Sequence, residues 1–170
     1  LCEMGIVSNH TGLMPAAAAF HAPHARVTEL CDIFGSQEAG GILTTTPFID
    51  VFNCMRRTDE QSFGGGVFII VDTEKNDSWE ILREKGISVS EDGKRALLYN
   101  PSHLLGLEAA ISVMSTVWLD KPTGNQDIRH NVDLHARASR DWSAGEVLLI
   151  TDHHHHEIDG VLAELNPAAH

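Results

Sequence analysis

The stretch KRALLYNPSHLLGLEAAISVMSTVWLD, residues 94–120, constrains the fold more than any other. RALLYN reads as a strand, and Asn100-Pro101 forces a turn because proline fixes φ and disfavours helix in the residue before it. Leu104, Leu107, Ile111, Met114 and Trp118 then recur at i, i+3, i+7 spacing, the signature of a long helix opened by Ser102 or His103 and closed at Lys121-Pro122. A strand followed at once by such a helix must bury the helix against a layer, which for a mixed sequence is a sheet.

The remaining segments supply that sheet. PFIDVFNCMRR and FGGGVFIIVDTE read as strands around residues 48–56 and 65–72, expected to be neighbours in one sheet. DSWEILREKG is a short amphipathic helix with Asp77 or Ser78 as cap and Gly86 as stop, and EDGKR is a turn. Residues 1–9 read as the end of a helix, NHTG as its turn, and Thr28 to Phe34 as a short helix capped by Thr28 and stopped by Gly35. The expected class is α+β: a mixed or antiparallel sheet with helices packed on one face, followed by a small β segment. VDLHARASRDWSAGEVLLI reads as strand, turn, strand in a different idiom. The expected division is therefore 1–125 as one domain and 126–170 as the start of a β domain.

Charge narrows the function classes. The chain has 24 Asp+Glu against 12 Lys+Arg, a formal net charge of -12. No Lys/Arg stripe is available to neutralise phosphates, so no nucleic-acid partner is expected. A small anionic substrate remains compatible, because one arginine or one helix N-terminus suffices for it. No run of about 18 apolar residues marks a transmembrane helix, so no membrane partner is expected. No signal peptide is visible, and Cys2, Cys31 and Cys54 are scattered without a CxxC, as suits free thiols in a reducing cytoplasm. LCEMGIVSNHTG opens inside a helix without an N-cap and LAELNPAAH stops without closure, so a piece of a longer protein is expected.

Several residues could carry chemistry. A helix beginning at Ser102 or His103 would present unpaired N–H groups to an anion, with His103 as hydrogen-bond donor or proton acceptor. Glu108 reads as a structural hydrogen-bonding residue or a base. Asn9, His10 and Thr11 stand at a helix end that Gly12 can stop. FGGGVFII has neither phosphate-loop spacing, and its glycines precede a strand rather than a helix, which favours a turn or a close backbone approach. His21 and His24 read as loop histidines. His153 to His156, with Asp152, Glu157 and Asp159 nearby, could bind zinc or nickel incidentally, but alternate residues of a strand face opposite ways, so at most two converge. No evolved metal site is expected.

NHTGLMP, GGGVFIIVDTE, GKRALLYNPSHLLGLEAAISV and ARASRDWSAGEVL together resemble, in order and approximate spacing, the reductoisomerase-like (DRL) oxidoreductases, homoserine-dehydrogenase-like proteins with a SAF domain. The resemblance covers most of residues 1–150. It implies a nucleotide-binding Rossmann domain, a central α+β catalytic domain and a C-terminal SAF (β-clip) domain, of which this chain holds the second and the start of the third. It implies NADP or NAD, bound mainly by the domain this chain lacks, since no Rossmann fingerprint is present. The founding activity converts 1-deoxyxylulose 5-phosphate to methylerythritol 4-phosphate with NADPH. Asn9, Thr11 and Gly12 match the family's NxTG. Tyr99, Pro101, His103 and Glu108 match its YxPYHLxxxE, where Ser102 stands in place of the usual Tyr. AAFH replaces a Lys/Arg-Gly-Met stretch after NxTG. Both departures bear on the substrate. The histidine run resembles a family feature at the opening of the SAF domain rather than a tag.

The resemblance implies His103, Asn9 and Thr11 in catalysis and Gly12, Tyr99, Asn100, Ser102 and Glu108 in substrate binding. The expected function is the catalytic portion of an NAD(P)-dependent oxidoreductase acting on a small phosphorylated or carboxylated, sugar-derived substrate, with a homo-oligomer as the expected assembly. The alternative from another class is a non-catalytic binding or oligomerisation module that loads metal through its histidines.

Overall fold

A computed structural model of the chain describes residues 1–72, 76–147 and 158–165. Residues 148–150 of the last expected strand and the run His153 to His156 lie outside the described residues. The chain divides into two compact units: residues 1–21, 47–50 and 125–170, and residues 22–46 and 51–124.

In the second unit, β5 (Val67–Asp72), β6 (Ser88–Val89) and β7 (Arg95–Asn100) form an antiparallel sheet in the order β5-β7-β6. The register sets Phe68 opposite Tyr99 and Ile70 opposite Leu97, so these four share a face, while Val67, Ile69 and Leu98 share the other. The short helix α2 (Leu30–Ile33) covers the first face. Phe34 stacks on Phe68 at 5.6 Å between ring centroids, and Leu30, Cys31 and Leu97 are fully buried. Each fully buried leucine contributes roughly 2–3 kcal/mol of transfer free energy. Val67, Ile69 and Leu98 on the opposite face are exposed. The arrangement is α+β, with the short helix α2 on one face of an antiparallel sheet; the long helix Leu105–Leu119, expected to pack on that sheet, has no buried residue.

Arg95 enters this core because its charge is paired. Its Nε donates to the Cys31 carbonyl at 2.9 Å and its guanidinium lies 3.3 Å from Asp92. Helix α3 (Asn76–Glu84) closes against β6 and stops at Gly86, whose φ of 87° suits glycine. Two more strands, β2 (His24–Ala25) and β4 (Asn53–Cys54), pair in parallel. The helix α4 (Leu105–Leu119) completes this unit. Its Leu105, Leu107, Val117 and Trp118 are 71–75% exposed. No helix among the described residues is long and apolar enough to cross a membrane.

In the first unit, α1 (Cys2–Thr11) lies against a hairpin of β8 (Val132–Ala138) and β9 (Ile158–Glu164). Phe20, Ile49, Val132, Val161 and Leu162 are its buried apolar residues. Here β1 (Met14–Pro15) pairs in parallel with β3 (Phe48–Ile49).

Three local expectations are corrected. Residues 48–56 are not one strand beside 65–72: they split into β3 and β4, paired with β1 and β2, while β5 pairs with β7. Thr28 does not cap a helix; a 3-10 turn, Val27–Glu29, leads into α2, and Glu29 bonds back to the Arg26 N–H at 2.8 Å. The long helix starts at Leu105, not at Ser102 or His103. Leu104 holds the N-cap position without a side-chain cap, and its carbonyl accepts from Leu107 and Glu108. Pro101 disfavours helical geometry at Asn100, and the chain runs through Ser102 to Leu104 before the helix begins.

Candidate functional site

The second unit holds a cleft of about 150 Å³. Tyr99 and Pro101, from the strand-to-helix stretch, form one wall; Arg26, Arg56, Glu60 and Ser62 are among the others. β7 delivers Tyr99 as its penultimate residue, and Pro101 follows at the point where the ladder ends. Phe63 anchors the floor: it packs against Tyr99 at 6.0 Å and against Phe52 at 5.1 Å.

Arg26 and Glu60 form a two-point ion pair, Nε to Oε2 at 3.3 Å and the terminal nitrogen to Oε1. Glu60 also accepts the Arg57 N–H at 2.8 Å. The hydrogen bond from Arg26 and that N–H hold its carboxyl below the usual carboxylate range. Arg56 donates to the Glu60 carbonyl at 3.0 Å and is exposed. Among the described residues it forms no ion pair with a carboxylate. The cleft therefore carries net positive charge in a strongly acidic chain. Sequence reading missed these residues because they come from two loops 30 positions apart. The dense RRTDE was their only local signal.

Asn100, Ser102, His103 and Glu108 of the same stretch do not line the cleft. His103 donates through Nδ1 to the Gly65 carbonyl. A carbonyl oxygen can only accept, so Nδ1 carries the proton and a neutral His103 leaves Nε2 as an acceptor. The FGGG segment is a turn with a close approach: Gly65 has φ 75°, and a Cβ on Gly66 would lie 2.7 Å from the Asn100 carbonyl oxygen. Asn100 sits opposite Val67 at the end of β7. Ser102 is exposed, and Glu108 is exposed in the first turn of α4.

Asn9, Thr11 and Gly12 stand together in the first unit, at the end of α1. Asn9 Oδ1 accepts from Asn131 and Val132 at 2.8 and 3.1 Å, and its amide donates to the Val132 carbonyl at 3.1 Å. That side chain positions the start of β8. Thr11 donates to the Val7 carbonyl at 2.7 Å, and Gly12, at φ 76°, donates its N–H to the Ser8 carbonyl to end the helix.

The same unit contains a pair that sequence reading passed over. His21 Nδ1 lies 2.6 Å from Asp50 Oδ2, and Asp50 Oδ1 accepts the His21 backbone N–H at 3.0 Å. The Asp50 side chain is 1% exposed. Phe20 and Ala22, on either side of His21, have positive φ of 59° and 46°. Such conformations persist in non-glycine residues only where surrounding contacts enforce them.

Among the described residues, no group of three His, Cys, Asp or Glu side chains could hold a metal. Neither do the described residues fit a nicotinamide dinucleotide. The cleft is well below the roughly 300–1,000 Å³ of sites for ligands that large. A wider depression of about 510 Å³ presents Asp32, Glu91 and Asp92 against the cation Arg95, a net negative lining that disfavours a pyrophosphate. The glycine run leads into β5, not into a helix N-terminus.

No curated protein matches the chain. Residues 1–109 match the family described as "Oxidoreductase DRL, catalytic domain", a span that takes in the NHTG cap, both walls of the cleft and the strand-to-helix stretch as far as Glu108. The chain belongs to the DRL oxidoreductases and carries their catalytic domain.

Proposed function

We propose that this chain is the catalytic portion of an NAD(P)-dependent oxidoreductase acting on a small phosphorylated or carboxylated, sugar-derived substrate. The observation that carries this reading is the cationic cleft walled by Tyr99 and Pro101 of the family stretch. Its volume of about 150 Å³ lies below the roughly 300–1,000 Å³ of sites for large ligands, which suits a small substrate and not a dinucleotide. NADP or NAD, held mainly by another domain, would supply the hydride chemistry. His103 has the free Nε2 to hold or take a proton at a substrate oxygen.

The acidic charge argues against a nucleic-acid partner. The exposed aliphatic residues of α4 favour a homo-oligomer, because apolar patches beyond a few hundred Å² mark interaction surfaces. The decisive experiment is nicotinamide absorbance during incubation of the purified protein, joined to its cofactor-binding domain, with NADPH or NADH and a panel of phosphorylated and carboxylated sugars. Turnover of a panel member by one nicotinamide supports the reading. Turnover of an uncharged sugar in preference to every anionic one overturns the substrate class.

A further inference from the structure

We propose that Arg26 and Arg56 are the anion-recognition element of the cleft and that they take a phosphate monoester group. The inference rests on reading the cleft as the substrate site, and names the residues and the group that the substrate must offer.

The sequence placed an anion at a helix start, Ser102-His103. The helix begins only at Leu105, so its N–H groups do not open there. The positive charge sits instead on two guanidinium groups lining one cleft. Both are tied down before any ligand arrives. Glu60 holds Arg26 through Nε and one terminal nitrogen, which fixes the plane of the fork. Three of the five N–H donors of that guanidinium are not spent on Glu60. Arg56 is fixed through a different atom, donating to the Glu60 backbone carbonyl at 3.0 Å across the 57–60 turn. One residue thus orients both arginines, by its side chain and by its main chain.

The charge balance selects the ligand. Glu60 neutralises one arginine, and Arg56 brings a further charge that no carboxylate among the described residues pairs. Two arginines lining one small cleft can match the several oxygens and near-double charge of a phosphate monoester. A carboxylate, with two oxygens and one charge, is satisfied by one fork. Hydroxyl side chains Thr28, Ser62 and Ser88 also line the cleft and can serve the remaining oxygens or a sugar hydroxyl. The ordinary reading of a surface arginine is a solvated charge. The difference here is convergence: Arg26 and Arg56 line the same cleft of about 150 Å³ as Tyr99 and Pro101.

The test is titration calorimetry of the 170-residue protein with inorganic phosphate and, separately, with acetate, at matched ionic strength. Phosphate should bind with Kd on the order of millimolar, and acetate at least ten-fold more weakly. Arg56→Ala should weaken phosphate ten-fold or more. Arg56→Lys, which keeps charge but loses the fork, should fall between and guards against a folding defect in the alanine variant. Arg129→Ala, an exposed cation outside the cleft, should leave affinity unchanged. Absence of phosphate binding, equal loss in Arg129→Ala, or acetate binding as tightly as phosphate each overturns the proposal. The two readings separate cleanly. A nicotinamide-oxidising enzyme whose Arg56→Ala variant keeps wild-type KM for a sugar phosphate overturns the anion element alone. A protein inert toward every nicotinamide and sugar that still binds phosphate through Arg56 overturns the oxidoreductase reading alone.

Discussion

His103 donates through Nδ1 to the carbonyl oxygen of Gly65, which fixes both the tautomer and the ring of the histidine that follows the cleft wall. With Nδ1–H committed, a neutral His103 is a proton acceptor at Nε2 and becomes a donor there only after protonation. Nitrogen-15 NMR of the neutral protein should show an unprotonated Nε2 at this residue. In the joined enzyme, His103→Ala should lower kcat/KM by roughly 10²-fold or more, the scale of a positioned acid–base group. Thermal stability should barely change, because the residue is exposed. Wild-type turnover by this variant would remove His103 from the mechanism.

Glycines separate into those that need the absence of a side chain and those that do not. A Cβ on Gly41 would lie 2.1 Å from the Gly35 carbonyl oxygen, a backbone atom that cannot swing aside. Gly41→Ala should cost about 3 kcal/mol, the upper end for forced overpacking. Gly106 lies inside α4 with no atom near its Cβ position. Gly106→Ala should instead stabilise by up to about 1 kcal/mol through helix propensity. Urea denaturation of both variants checks the pair; the same sign of change in both would refute the packing account.

Cys31 shows how far burial controls reactivity. Removal of its thiol from water, and secondarily the Asp32 carboxylate, push its pKa up to about 11. The folded protein keeps a proton that the unfolded thiol releases. Stability from this source is complete below the ordinary thiol pKa of about 8.5 and is lost as pH rises toward 11. Iodoacetamide at pH 8 should label exposed Cys2 and spare Cys31 until the protein is unfolded. Labelling of Cys31 at the rate of Cys2 under native conditions would contradict its burial.

The elements that were legible are those whose signal is local. β7 follows from a short apolar run between two turns, α4 from helical spacing, and α3 from its amphipathic pattern closed by Gly86. The pairing of β3 and β4 was not legible. Their partners, Met14–Pro15 and His24–Ala25, are two-residue strands in proline-rich segments, and no periodicity marks a strand that short. The site divides the same way. Tyr99 and Pro101 were found through a contiguous stretch, and the glycine turn through its spacing. Arg26, Arg56 and Glu60 meet only because the loops after β2 and β4 run side by side. The displaced start of α4 was a different failure. Proline favours a helix's first position but here follows a strand directly, and the chain needs Ser102 to Leu104 to change direction.

The pair His21–Asp50 supports the last prediction. Asp50 is buried with its two oxygens on the His21 ring and backbone, and the residues on both sides of His21 hold left-handed conformations. Each such conformation costs roughly 1–2 kcal/mol in a non-glycine residue, so the carboxylate must hold the loop against its own backbone preference. Asp50→Asn keeps the volume but replaces one of the two acceptor oxygens by an NH2 donor, which then faces either the His21 ring Nδ1–H or its backbone N–H. It should destabilise by about 2 kcal/mol, the cost of leaving a buried polar group unsatisfied. Ala22→Gly relieves the left-handed φ without touching the hydrogen bonds and should stabilise by up to about 1 kcal/mol, the scale of backbone changes at compatible sites. In Asp50→Asn the loop is free to relax, so adding Ala22→Gly should yield a smaller gain than it does in the wild type. A double-mutant cycle by denaturant unfolding measures this directly. Equal gains in both backgrounds would mean that the Asp50 carboxylate does not hold the left-handed geometry at Ala22.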